Sequence, residues 1–179
     1  MKRSKKVVFV SFCILAQGFR AKGIVRVFPS IVKPVVDILK KYEINIIQLP
    51  CPEIEFEGVI RKPCGIEKYE KNKKFLEICE RNAKKVADLI KQLTCEGYKI
   101  LAIVGIENSP SCGVNYVFYK GKKIKRMGIF MEMLKNQIKK IGLNIPFVGI
   151  NVYKIEKCVG ELERIISRNR NIKSYLKSV

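Results

Sequence analysis

Cys13, Cys51 and Cys112 each stand just beyond a run of apolar residues, and none has a second cysteine beside it to form a local chelating motif. Thiolates suit soft metal sites, including iron–sulfur clusters, and can also act as nucleophiles or sulfur carriers. The segments Cys51-Pro-Glu53 and Ser109-Pro-Ser-Cys-Gly113 surround two of these thiols with prolines, hydroxyls, a carboxylate and a glycine. Turn formation alone would explain the prolines and the glycine but not the cysteines. Histidine is absent from the chain. This excludes Ser-His-Asp and Cys-His catalysis, His-ligated zinc and an imidazole base. Proton transfer near neutral pH must then use a carboxylate, thiol, amine, hydroxyl or water, and Glu53 is the best-placed carboxylate, with Glu107 second. The plainer alternative for Glu53 is a cap on a turn or a partner for one of many lysines.

The other four cysteines divide into two groups. Cys79 and Cys158 fall within expected helices and Cys95 at the end of one, so each reads as a small apolar packing residue. Cys64 lies in the loop Arg61-Lys-Pro-Cys-Gly65 and is a reserve ligand. The wide separations of the first three match neither a zinc ribbon nor a ferredoxin run. Any case for a shared metal site therefore rests on where the fold puts them.

Residues 6–12 form a continuous β-branched and aromatic run, the pattern of a strand buried on both faces, ending at Cys13. Residues 44–49 predict a second strand that ends at Pro50 and Cys51. Residues 98–105 predict a third, running into the loop of residues 106–113, and residues 146–150 a fourth. Helical apolar spacing covers residues 29–41, 67–93, 127–141 and 153–166, with Gly97 stopping the second and the basic stretch 122–126 leading into the third. Residues 168–179 read as a basic helix end or frayed terminus. Alternating strands and helices predict an α/β, Rossmann-like three-layer fold with a mostly parallel four- to five-stranded sheet and helices on both faces. Such sheets bind ligands outside the carboxyl ends of their strands, which is where Cys13, Cys51 and Cys112 would converge.

The length of 179 residues suits one α/β domain spanning residues 1–179. Its longest apolar runs fall short of the roughly 20 residues of a membrane span. The basic start followed by an apolar run imitates a signal peptide, but Gln17, Arg20 and Lys22 occupy the place of a cleavage site, so an internal first strand is expected. Seven cysteines without such a signal point to a reducing, cytoplasmic setting. The formal charge of +20 would attract polyanions such as RNA. No segment interleaves aromatic and basic residues, so a lysine-rich bias of the whole chain explains the charge equally well.

Taken together, Cys13 within Val10-Ser-Phe-Cys-Ile-Leu15, Cys51-Pro-Glu53 with Gly58 and Arg61-Lys-Pro63, and Ser109-Pro-Ser-Cys-Gly113 resemble the 2-thiouracil desulfurase family, formerly a domain of unknown function. The resemblance implies a [4Fe-4S] cluster on Cys13, Cys51 and Cys112, with an open fourth iron that takes the sulfur of a thiolated pyrimidine in a non-redox desulfuration. It implies that Glu53 is the proton donor or base and that Ser109 or Ser111 takes part, Ser109 being preferred. Substrates implied are a free 2-thiouracil-like base or a thiolated nucleoside or transfer RNA. After Cys13 the chain reads Ile-Leu-Ala-Gln-Gly-Phe-Arg-Ala-Lys-Gly23, where the family pattern has a glycine and then an Arg-Tyr-Asp-Gly-like segment.

The competing reading is a basic nucleic-acid-binding or sulfur-trafficking protein whose cysteines hold a structural metal or carry persulfide. It predicts salt-dependent RNA binding or thiol-bound sulfur without turnover. Nucleotide binding has little support, since neither G-x-G-x-x-G nor a P-loop occurs. Gly18, Arg20, Lys22 and Gly23 could still cradle a phosphate.

Overall fold

The computed structural model describes residues 3–175, with side chains described to residue 168. Strands β1 (Lys6–Val10), β2 (Asn45–Gln48) and β3 (Lys99–Ile106) lie in a parallel four-stranded sheet with a last strand at Phe147–Ile150, in the order β2, β1, β3, Phe147–Ile150. Val7 to Val10 of β1 are at most 1% exposed, as a continuous apolar run predicts for a strand with both faces covered. Helices α1 (Phe12–Leu15), α2 (Lys33–Lys41), α3 (Pro52–Glu57) and α4 (Lys73–Cys95) follow in chain order. Helix α5 (Ile129–Lys140) packs against α4, and α6 (Ile155–Tyr175) against α2, which gives the expected three layers.

Several boundaries move for local reasons. The sequence places Pro34 inside α2, but the helix begins at Lys33 and so holds the proline in its first turn, where no amide donor is needed. The long helix expected from residue 67 starts only at Lys73, because the Asn72 side chain accepts from the Phe75 amide at 3.0 Å and caps it. A separate 3-10 turn occupies Ile66–Lys68. The last helix begins after another such turn at Val152–Lys154 and continues to Tyr175, while residues 176–179 of the expected tail lie outside the described residues.

The basic stretch expected to lead into a helix instead forms an antiparallel hairpin, β4 (Tyr116–Tyr119) and β5 (Lys122–Lys125). Lys120 and Gly121 take φ values of +47° and +76°, the left-handed pair that a two-residue turn with the right twist requires. Val117 is buried and Ile124 half-buried on one face, while Tyr116 and Phe118 face outward. Aromatic and basic residues are thus interleaved after all, by strand pairing rather than by sequence order. The strand that completes the parallel sheet, Phe147–Ile150, is β6.

The chain runs from β1 outward to β2, then back across β1 to β3. That reversal puts the carboxyl ends of β1 and β3 at the switch point where open α/β sheets form their crevices.

Candidate active site

The peptide of Ser11 continues β1 by donating to the Val104 carbonyl at 2.8 Å, and Phe12 then opens the single turn of α1. Cys13 is therefore the second residue of a short helix rather than a loop residue. Its carbonyl accepts from the Gln17 side-chain amide at 2.5 Å, and Gln17 is itself buried. Leu49 extends β2 through its amide to the Val10 carbonyl at 2.7 Å. Cys51 then precedes α3, whose first turn opens with Pro52 and buries Glu53.

Cys112 arrives on the turn after β3. Its carbonyl accepts from the Ile106 amide at 3.1 Å, and its own amide donates to Ser109 Oγ at 3.0 Å. The turn lies so close to Gly128 that a Cβ there would stand 2.5 Å from the Ser111 carbonyl carbon and 2.9 Å from the Cys112 nitrogen. Both neighbours are backbone and cannot swing aside. Gly128→Ala is expected to destabilise the fold by about 1–3 kcal/mol through overpacking, measured as a lower urea midpoint at unchanged m-value.

Glu53 is the hub of the site. Its Oε1 accepts from Ser111 Oγ at 2.6 Å and from Ser109 Oγ at 3.0 Å. Its Oε2 faces the Arg61 Nε at 3.4 Å, a pair in which both side chains are largely withdrawn from water. A second guanidinium nitrogen of Arg61 donates to the Phe19 carbonyl at 2.9 Å, which ties the segment after β1 to the segment after α3. Ser111 also lies 3.5 Å from the Cys112 sulfur, so one hydroxyl touches both the carboxylate and a thiol.

The thiols are buried and mutually close. Burial pushes the Cys51 thiol up to about 11, with Glu53 adding to the effect. Burial followed by Cys51 takes Cys112 up to about 12. Cys13 is raised well above the ordinary thiol range by burial, then by Cys51, Cys112 and Glu53, in that order. Thiols so placed keep their protons until a cation arrives to replace them. The fully buried Ser11 hydroxyl lies against the Cys112 thiol and, like that of Ser111, opposes the effect of burial on it.

Among the described residues no three His, Cys, Asp or Glu side chains converge closely enough to hold one metal ion. A single tetrahedral ion needs its sulfurs at about 2.3 Å and hence nearly touching one another. Three buried thiols with no nitrogen ligand among them are a soft donor set of the kind that iron–sulfur groups and zinc both accept.

A cavity of about 360 Å³ opens beside this cluster and is lined by Cys13, Glu53, Arg61, Cys64 and Ser109. Ser111 is fully buried behind that lining. Arg20 and Arg26 enter the cavity from the segment after β1, Phe118 from the hairpin and Tyr153 from the turn after β6. Cys51 borders a separate shallow depression with Phe12 and Ile54. Cys64 reaches the same cavity as Cys13, is only half-buried and neighbours Tyr69 and Lys68.

Glu107 is placed differently from Glu53. It accepts from the Tyr116 amide at 2.9 Å and from the Asn115 backbone and side-chain amides, the latter at 2.7 Å. A Cβ at Gly149 would collide with its carboxylate. Its oxygens are thus engaged in fastening the hairpin to the end of β6. Cys79 is fully buried on α4, next to Cys112 and Cys51, whereas Cys95 is exposed and Cys158 packs under α6 with its sulfur 3.3 Å from the Asn151 amide. Sequence reasoning missed the ion pair between Arg61 and Glu53, and the cavity roles of Arg26, Phe118 and Tyr153. The proximity of Arg61-Lys-Pro63 to the Cys51 segment was the available signal for the first.

Residues 8–144 match the family model described as 2-thiouracil desulfurase. The chain belongs to the 2-thiouracil desulfurase family. A relative within reach is an uncharacterized protein of Methanocaldococcus jannaschii, 30% identical over 166 residues that cover 92% of this chain and 99% of the relative. Among solved structures, a [4Fe-4S]-dependent thiouracil desulfidase, TudS, superposes with a TM-score of 0.53 over 90% of this chain and 98% of that one, at 18% identity. At that identity the likeness shows a shared fold. Within this family fold, β1, β2 and β3 carry the three thiols to one sheet edge, and no helix among the described residues is long and apolar enough to cross a membrane.

Proposed function

We propose that this chain is an iron–sulfur-dependent desulfurase acting on a thiolated uracil-type base, free or carried on a nucleoside or RNA. The observation that carries the reading is the Glu53 carboxylate, bonded to Ser109 and Ser111 at the foot of a cavity that Cys13 also lines, with Cys112 touching Ser111. Membership of the family and the cluster named for the TudS neighbour support it.

Cys13, Cys51 and Cys112 would hold a [4Fe-4S] cluster. When bound, it supplies an iron without a protein ligand, a soft acceptor for a thiocarbonyl sulfur. The net reaction exchanges C=S for C=O, with water supplying oxygen and sulfur leaving as hydrogen sulfide, so no electrons are gained or lost. Water has two protons to redistribute in that exchange, and Glu53 Oε1 is the atom positioned to take or return one, through the Ser109 hydroxyl that faces the cavity. Ser111 holds the same oxygen from the buried side, and Arg61 balances the carboxylate charge at Oε2. Cavity walls from Ile106, Pro110 and Ile150 offer apolar contact to a flat ring. The setting is reducing and cytoplasmic in this reading, in accord with seven free thiols.

The test is anaerobic reconstitution followed by iron and acid-labile sulfide analysis and a 2-thiouracil assay. About four irons and four sulfides per chain, with hydrogen sulfide released in step with uracil formed, are expected. Zinc in place of iron, or a fully loaded protein that releases no sulfide from any thiolated pyrimidine, would sink the proposal.

A further inference from the structure

The β4–β5 hairpin carries a surface that desulfuration of a small base does not need. In an antiparallel pair, directly opposed residues share a face. Tyr116 opposes Lys125 and Phe118 opposes Lys123, while Val117 and Ile124 fill the face between them and the core. The outward face is therefore a patch of two aromatic rings and two lysines, all four exposed. Lys123 Nζ stands 4.2 Å from the centre of the Tyr116 ring, so charge and ring are presented together. Lys120 and Lys122 extend the positive charge at the turn, and among the described residues no carboxylate forms a side-chain ion pair with any of these four lysines. Phe118 belongs both to this patch and to the wall of the 360 Å³ cavity, which Arg20 and Arg26 also line.

Rings that stack bases beside cations that track phosphates are the two ingredients of single-stranded nucleic-acid binding. A free base or a lone nucleotide seated in the cavity would leave Lys123 and Lys125 unused, whereas a strand crossing the hairpin would engage them. We propose that the outward face of the hairpin binds a single-stranded stretch of RNA and that Phe118 guides one base of that strand into the cavity. The assignment to RNA rests on the desulfurase reading, since uracil is the pyrimidine of RNA; the binding surface itself does not.

The probe is a fluorescently labelled, unmodified 12-nucleotide single-stranded uridine RNA, titrated by anisotropy into the reconstituted protein across a range of salt. Lys123→Glu combined with Lys125→Glu is expected to weaken binding at least tenfold and to flatten the salt dependence, because phosphate contacts are lost. Tyr116→Ala is expected to weaken the single strand several-fold while leaving duplex RNA of the same length unaffected, a split that pure charge attraction would not produce. Affinity unchanged in both variants, or equal losses for single strand and duplex in Tyr116→Ala, would overturn the hairpin assignment. Tighter binding of the matched DNA strand would overturn the choice of RNA. Turnover of 2-thiouracil in the lysine double variant separates the two readings, and it is expected to match the parent protein. RNA binding that follows the hairpin in a protein without any turnover would leave the surface standing and remove the desulfurase.

Discussion

Replacing Cys13, Cys51 or Cys112 with alanine, one at a time, is expected to reduce iron and sulfide after anaerobic reconstitution to background, with turnover lost in parallel. The three sit at the ends of β1, β2 and β3, each buried, each raised above the ordinary thiol range first by burial. A cluster held by three thiolates loses a whole anchor with each substitution, and a chain without histidine has no imidazole to take its place. Cys95→Ala and Cys158→Ala are the controls, since one is exposed and the other lies on α6 with its sulfur already engaged by the Asn151 amide. Cys79→Ala is the sharper control. It is expected to load iron normally despite its position beside Cys112, at a modest cost in stability from a small cavity. Equal iron loss in all six variants would return every cysteine to the role of packing residue.

Glu53→Gln is expected to leave iron loading intact and lower turnover by about 100- to 10,000-fold, the usual range for loss of a positioned acid or base. Glutamine keeps the volume, and its carbonyl oxygen can still accept from Ser109 and Ser111. What it lacks is a site that can gain and release a proton, and a charge opposite Arg61. The measurement pairs turnover with iron content and a visible spectrum on the same sample. If Glu53→Gln retains full turnover, the proton must move by another route and the role given to Glu53 fails. If iron is lost with turnover, Glu53 acts as a support for the thiol loops instead.

Much of this arrangement was legible before any coordinates, and the reasons are particular. The strands were visible because burial on both faces demands unbroken apolar runs, which residues 6–12 and 98–105 supply. A cysteine past the end of such a run has its place fixed by the sheet rule, so three distant thiols could be assigned to one edge. Local order was less predictable. Asn72 shortened α4 by capping it, and the hairpin escaped notice because Lys120-Gly121 is not a usual turn pair and four-residue strands carry little alternation. The bonds from Ser109 and Ser111 to Glu53 join residues more than fifty positions apart, and no local pattern encodes them. Nor could Glu107 be told from Glu53 by sequence, since only the fold shows its oxygens already engaged by the Asn115 and Tyr116 amides.

The place of β1 between β2 and β3 has a consequence for the life of the chain on the ribosome. The strand synthesised first is flanked on one side by a partner that emerges early and on the other by one that begins only at Lys99. Until that second partner docks, β1 has an open edge and Cys13 has only Cys51 for company. A nascent chain halted before residue 99 holds two of the three thiols and cannot form the site. Assembly of the three-thiol edge is therefore a late event, waiting on the longest-range pairing in the sheet, and conditions that slow this docking leave the thiols open to oxidation for longer.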